Sequence, residues 1–219
     1  MIEIRNLSKS FKTQQGPLEI LKDINFQIPK GKIIAITGHS GSGKSTLLSL
    51  LAGLDKPDSG QILIEGRDLF AIPPHKQNDF RAQNISLIFQ NYYLIPHLTA
   101  LENVALPLQI LKKASPFEEA QRLLKEVGLE DRMSHYPGEL SGGECQRVSI
   151  ARGLATKPLV LLADEPTGSL DNETGNRVMK LYFDLVRKHN LTSVIVTHNE
   201  ELAALCDSEL KLSQGQIHK

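Results

Sequence analysis

The run Gly38-His39-Ser40-Gly41-Ser42-Gly43-Lys44-Ser45 puts glycines at its first and sixth positions and closes on a Lys-Ser pair. This G-x-x-x-x-G-K-[ST] spacing follows an apolar run and opens a helical one, which is the context a phosphate-binding loop requires. Glycines let the backbone wrap a phosphate chain with its N–H groups inward, and the helix N-terminus adds a positive dipole there. Lys44 would reach the β- and γ-phosphates, and Ser45 would hold Mg2+. A chance match in a chain of 219 residues is about one in a hundred. By itself the loop implies a nucleoside triphosphate and nothing finer.

A second anion-seeking feature is Leu140-Ser141-Gly142-Gly143-Glu144. Ser141 can cap a helix whose first N–H groups are left bare by two residues without side chains. Taken alone, these residues also suit an ordinary helix start after the Pro137-Gly138 turn. Together with the loop they pose a counting problem, because one chain has one triphosphate loop but two phosphate-seeking helix ends. A head-to-tail dimer solves it, with each Ser141 helix facing the nucleotide held by the other chain.

The elements that must position these residues read as alternating strands and helices. Short β-rich runs come first, Ile2 to Ile4, Ile24 to Ile28 and Ile33 to Thr37. The third is apolar without alternation, as a strand buried on both faces would be. Residues 44 to 52 read as a helix stopped by Gly53, followed by strands at Gln61 to Glu65 and Ile85 to Phe89. Between Asn91 and about Pro158 the signal changes to helical spacing over Leu101 to Leu111, Pro116 to Val127 and Ser141 to Ala155. Strand Leu159 to Ala163, a helix near Asn172 to His189, strand Ser193 to Thr197 and two short terminal strands complete the pattern. Buried strands alternating with helices predict a parallel sheet covered on both faces, interrupted by a helical insertion.

Composition excludes several other classes. A hydrophobic fraction of 40% with 16 glycines fits a folded chain and not a disordered one. Lys+Arg and Asp+Glu are both 25, so no global positive field gathers nucleic acid or an anionic membrane. No apolar run approaches a spanning helix, and the start MIEIRNLSKSF lacks the order of a signal peptide, so the expectation is a cytoplasmic chain. Cys145 and Cys206 stand alone, without the spacing of a disulfide framework or a zinc site.

Further motifs carry a family resemblance. Phe89-Gln90, the strand LVLLADE (159 to 165), Ser169-Leu170-Asp171 and His198 appear in the same order, with the loop and Leu140 to Glu144, as in the ATP-binding cassette (ABC) ATPases. The chain resembles that family from Phe11 to His198. Within it, SGSGKSTLL, TALENVALPL (99 to 108), ELSGGE and DEPTGSLD are most similar to the small ATPases of the LolD, MacB and FtsE group. The resemblance implies a P-loop NTPase fold with a mostly parallel RecA-like sheet, a small antiparallel β part and an inserted helical lobe. It puts the nucleotide-binding core at 1–90 and 158–219 and the helical signature subdomain at 91–157.

The resemblance also assigns roles. ATP would be bound by Phe11, stacking on adenine, and by Gly38, His39, Ser40, Gly41, Ser42, Gly43, Lys44, Ser45 and Thr46, with His39 given no role of its own. Ser45, Gln90 and Asp164 would hold Mg2+. Glu165 would polarise the attacking water, His198 would brace that water against the γ-phosphate, and Lys44 and Gln90 would complete the catalytic set. Ser141, Gly142, Gly143, Glu144 and Asp171 would act on the nucleotide of the opposite chain. Cys145 stands where the family usually has Gln, leaving open a redox switch or an inert replacement.

The function implied is the ATP-hydrolysing subunit of an ABC transporter that energises a separate membrane permease. Export or extrusion of lipoproteins, peptides or amphiphiles is the implied use, and the inner face of the cell membrane the implied place. The permease would dock near 91–106, where Tyr92-Tyr93-Leu94-Ile95-Pro96-His97-Leu98 lies beside Gln90; packing of the helical lobe is the other use of that segment. The alternative is an FtsE-like regulatory ATPase that signals across the membrane in cell division without transport. Soluble relatives acting on chromosomes or ribosomes are disfavoured, because the short stretch from Lys44 to Ser141 leaves no room for the long coiled coil of the first and the second usually carry two cassettes in one chain; no nucleic-acid partner is expected.

Overall fold

The computed structural model describes residues 1–14 and 16–218. In chain order the elements are β1 (Ile2–Thr13), β2 (Gly16–Ile28), β3 (Ile33–Thr37), α1 (Lys44–Leu51), β4 (Ser59–Ile64), β5 (Arg67–Asp68), α2 (Pro74–Asn84) and β6 (Ile85–Ile88). They continue with α3 (Ala100–Ile110), α4 (Pro116–Glu126), α5 (Gly142–Leu154), β7 (Val160–Asp164), α6 (Asn172–Lys188), β8 (Thr192–Val196), α7 (Glu200–Ala204), β9 (Ser208–Ser213) and β10 (Gln216–His218). The chain forms two compact units, Met1–Arg81 with Thr192–Lys219, and Ala82–Leu191.

In the first unit, β2-β1-β4-β5 form an antiparallel sheet. Beside it in sequence, β3 pairs in parallel with both β8 and β9, and β10 lies antiparallel on β9. Every residue of β3 and β8 is buried, as the unalternating runs IIAIT and TSVIV require of strands covered on both faces. β1 and β2 run far beyond the expected Ile2 to Ile4 and Ile24 to Ile28. Three register shifts in their pairing break the period of two that marks a strand, and Asn6 and Asp23 have left-handed backbone at φ 48°. Helix α2 is a further addition. It buries no residue and so has no apolar stripe to betray it.

In the second unit, β6 and β7 pair in parallel, from Ile85 opposite Val160 to Ile88 opposite Ala163. The three helical spans expected after Asn91 are α3, α4 and α5, and among the described residues no strand interrupts them. Helix α3 packs on α4 and α5, and α5 also packs on α6 and β6. Its start is fixed by a reciprocal cap, in which the Thr99 hydroxyl accepts from the Glu102 N–H while the Glu102 carboxylate accepts from the Thr99 N–H.

Asn103, one turn into α3, is fully buried. Its Oδ1 accepts from the Ile95 N–H at 2.8 Å, and its Nδ2 reaches the carbonyls of Ile95, Leu98 and Thr99 at 3.1, 2.9 and 3.0 Å. One side chain thus adds to the Leu98 N–H to Ile95 carbonyl bond of 3.1 Å that the irregular segment before α3 makes with itself. Parallel strands, flanking helices, a small antiparallel sheet and a helical stretch give the mixed α/β architecture that the sequence implies. Among the described residues no helix is long and apolar enough to cross a membrane.

Candidate functional site

The phosphate loop joins β3 to α1 in the first unit. Gly38 has φ 150°, and a Cβ there would lie 2.2 Å from the Leu212 carbonyl oxygen and 2.8 Å from Ser42 Oγ, so no side chain fits. Gly43 precedes α1 in left-handed conformation, φ 101°, and offers no side chain to bond the first helical amides. Those amides remain open to an outside acceptor. The Ser42 N–H donates to the His39 carbonyl at 3.1 Å, which curls the loop. Lys44 Nζ folds back over it, donating to the carbonyls of Gly38 at 2.7 Å and His39 at 3.0 Å. Ser42 Oγ is buried without a hydrogen-bond partner among the described residues. A buried hydroxyl left so is unfavourable, and a phosphate oxygen is an acceptor that would satisfy it.

Other residues of the same unit lie against the loop. A Cβ on Gly43 would meet Ile20 and Leu21 of β2 at 3.0 Å, so β2 lies against the loop. Phe11, on β1 opposite Leu18, is 43% exposed, with Lys9 Nζ 5.1 Å from the ring centroid. His39, Ser40, Gly41 and Ser45 are exposed, Thr46 is half-buried, and His198 is exposed two residues beyond β8.

The second unit gathers the other predicted residues. Asp164 ends β7 and is half-buried, at the carboxyl edge where open α/β sheets bind their ligands. Glu165, next in the chain, has φ 46°, an uncommon conformation for a residue with a side chain. Its carbonyl accepts from the Gly168 N–H at 2.9 Å. Gln146, fully buried on α5, donates from Nε2 to the Pro166 carbonyl at 2.6 Å and so ties this turn to the helix. The Gln90 carboxamide lies on Gly168, where a Cβ would come within 2.7 Å of its Nε2. Ser169 Oγ donates to the Gln90 carbonyl at 3.0 Å and lies 3.0 Å from the Tyr92 hydroxyl. Asp171 caps α6 by accepting from the Thr174 N–H at 2.9 Å, and that bond holds its carboxyl below the ordinary aspartate range.

Ser141 caps α5, as its sequence suggests. Its hydroxyl accepts from the Glu144 N–H at 3.3 Å, while a Glu144 carboxylate oxygen lies 2.8 Å from both the Ser141 N–H and its hydroxyl. The Ser141 N–H first, then the hydroxyl and Arg132, hold the Glu144 carboxyl below its usual range. The two glycines also serve packing. A Cβ on Gly143 would strike Thr174 of α6 at 2.6 Å, and one on Gly142 would meet the Tyr92 hydroxyl at 2.9 Å. Cys145 is buried against the Pro137 and Leu140 carbonyls, and burial first, then the Glu144 charge, push its thiol up. A protonated, enclosed thiol is inert, which favours the plain replacement over the redox switch.

Within the second unit, then, Gln90, the turn after Glu165, Ser169 and the first turn of α5 are brought together. Sequence reasoning missed the residues that join them, Tyr92 through its hydroxyl, Gln146, and Arg152, which donates to the Tyr92 and Tyr93 carbonyls. Each acts on backbone or hydroxyl groups distant in the chain, and no local spacing marks that.

Comparison with known proteins identifies the family. Residues 21–168 match the ABC transporter family. The chain is 46% identical over 219 residues to the lipoprotein-releasing system ATP-binding protein LolD of Porphyromonas gingivalis, covering 99% of this chain and 98% of that protein. It is 43% identical to the ABC transporter ATP-binding protein YtrE of Bacillus subtilis, covering 99% and 96%. Among solved structures, the cassette MJ0796 in a dimeric post-hydrolysis state bound to ADP and Pi superposes with a TM-score of 0.90 at 36% identity, covering 100% of this chain and 97% of that one. A loop shaped for phosphates, a capped signature helix and likeness along nearly the whole chain lead to one conclusion: the chain belongs to the ABC transporter family, as one of its ATP-binding subunits.

Proposed function

We propose that this ATPase subunit drives a separate membrane permease by closing head-to-tail around two ATP molecules and reopening after hydrolysis. The observation that carries the reading is the loop from Gly38 to Gly43, with its uncapped helix start, its folded-back Lys44 and the unpartnered Ser42 hydroxyl. The binding set is Phe11 for adenine and Gly38 through Thr46 for the phosphates.

Mg2+ suits the donors present, because Ser45, Gln90 and Asp164 offer hydroxyl, amide and carboxylate oxygens, the hard ligands this ion takes. Among the described residues no group of three or more His, Cys, Asp or Glu forms a metal cage. Mg2+ is commonly held by one or two carboxylates together with the nucleotide's own phosphates. When bound, it neutralises charge on the leaving phosphates. Glu165 orients and polarises the attacking water, His198 braces that water, and Lys44 meets charge at the γ-phosphate. Ser141, Gly142, Gly143, Glu144 and Asp171 act on the partner's nucleotide.

The core is 1–90 with 158–219, and the helical signature subdomain is 91–157. The permease docks near 91–106, where Tyr93 is 61% exposed and stands edge-on to Phe89 with ring centroids 4.8 Å apart. Docking there places the subunit peripherally on the inner face of the cell membrane. Relatives named for lipoprotein release favour transport of a lipoprotein or similar amphiphile over signalling in cell division.

Glu165→Gln tests the reading. It keeps the loop intact and removes the base, so hydrolysis falls by about 10²-fold or more. An ATP-dependent dimer then accumulates on gel filtration. Hydrolysis within twofold of the parent protein would take the base role from Glu165.

A further inference from the structure

Helix α5 starts at the signature and ends against the segment that carries Gln90. Near its last turn, Arg152 donates from Nη2 to the Tyr92 carbonyl at 2.7 Å and from Nη1 to the Tyr93 carbonyl at 2.6 Å. These carbonyls belong to two successive residues in left-handed conformation, at φ 58° and 45°. Aromatic residues rarely adopt that backbone even singly, so two in a row persist only where the surroundings dictate them. The guanidinium bonds the carbonyls of both residues. Its planar fork spans two neighbouring acceptors at once, which no single-point cation can match.

The turn so held is not isolated. Next to Arg152, a Cβ on Gly153 would come within 3.2 Å of Ile88, so the helix sits closely on the end of β6. From there the chain runs through Phe89, Gln90 and Asn91 into the gripped tyrosines. The Tyr92 hydroxyl returns to Ser169 Oγ, which in turn holds the Gln90 carbonyl. Gln90 is therefore fixed from two sides, by Ser169 on its own carbonyl and by Arg152 two residues later. Burial pushes the Arg152 guanidinium pKa down, consistent with a group enclosed by what it holds.

We propose that Arg152 is a positioning residue, its guanidinium gripping the Tyr92 and Tyr93 carbonyls so that the Gln90 segment keeps register with the helix that carries Ser141. A shift of α5 then moves the Gln90 segment with it, and a change in the segment is felt at the signature. This inference rests on the reading of Gln90 as a Mg2+ and γ-phosphate contact, and it assigns that contact its mechanical support.

The test uses Arg152→Met, which keeps much of the side-chain length without the fork, and Arg152→Lys, which keeps the charge but binds one carbonyl at a time. Hydrogen–deuterium exchange of the full chain without nucleotide reads the grip directly. In Arg152→Met, amides of residues 89–95 should exchange at least about tenfold faster, with those of the phosphate loop unchanged. In ATPase assays, kcat should fall about tenfold or more and the Mg2+ concentration for half-maximal rate should rise, while KM for ATP stays within about twofold. Arg152→Lys should recover part of each effect, and it carries the test if the Met variant does not fold. Unchanged exchange at 89–95 overturns the grip, whatever the activity. Faster exchange with unaltered kcat and Mg2+ dependence overturns its coupling to Gln90. Faster exchange at 89–95 in Arg152→Met, with a parent protein that hydrolyses no ATP, would instead refute the functional reading and leave the grip standing.

Discussion

Replacing Asn103 by Leu keeps the branched side-chain shape and heavy-atom count and deletes a carboxamide that touches four backbone groups. The four contacts are not four full bonds, since Nδ2 has two hydrogens for three carbonyls. With the bond accepted from Ile95 N–H, the effective number is three. At about 1 kcal/mol net for each, the loss is about 3 kcal/mol. The Thr99 carbonyl is spared a full penalty because it also accepts from the Asn103 backbone N–H at 2.9 Å. The Ile95 carbonyl likewise keeps the Leu98 N–H at 3.1 Å, whereas the Ile95 N–H has no such substitute among the described residues. For a chain of this size each kcal/mol lowers Tm by about 2–4 °C, so Asn103→Leu should melt about 6–12 °C below the parent by circular dichroism. Should the segment open locally instead, the same energy appears as roughly 100-fold faster hydrogen exchange at the Ile95 amide. A Tm within about 2 °C of the parent, together with unchanged exchange at Ile95, would refute the assignment of Asn103 as the support of residues 95–99.

Two further outcomes can be checked independently. Lys44→Ala and Ser141→Arg should each abolish hydrolysis alone, yet regain some when mixed, because a head-to-tail pair of unlike chains has one site with both lesions and one with neither; no recovery, with mixed dimers demonstrated by crosslinking, counts against that arrangement. Acid stability should depend on Glu126, which faces His189 at 2.9 Å and Lys188 at 3.1 Å and is also paired with Arg122. Burial alone would raise its carboxyl, but His189, Lys188 and Arg122 outweigh it and its pKa lies below the ordinary 4.5. A depressed carboxyl stabilises the fold above its unfolded pKa and loses that contribution as pH falls through the folded value. Denaturant titrations from about pH 6 to pH 3 should therefore show a shallower decline for Glu126→Gln than for the parent; parallel curves would remove Glu126 from the account.

What the sequence disclosed was the chemistry that lies in short runs. Gly38 through Ser45 needs consecutive residues, and so do Ser141 through Glu144 and the buried strand before Asp164, so each is visible where it stands. The long β1–β2 pair was cut short because bulges near Asn6 and Asp23 disrupt the alternation that marks strands. Helix α2 escaped because it lies on the surface with no buried face. Least legible were the supports of the site. Gln146 meets Pro166 twenty residues on, and Arg152 meets Tyr92 sixty residues back. Such pairings bind side chain to backbone, and every residue type has a backbone to offer.

The two cysteines divide between the two units, Cys206 in the first and Cys145 in the second. Cys206 is partly accessible just beyond α7, whereas Cys145 is enclosed in the first turn of α5. The molecule thus carries its own pair of clocks for chemical labelling. A thiol reagent can find Cys206 on the folded surface, but it reaches Cys145 only when the signature turn lifts. The second labelling rate consequently times the opening of that turn, with no reporter group added and no residue exchanged.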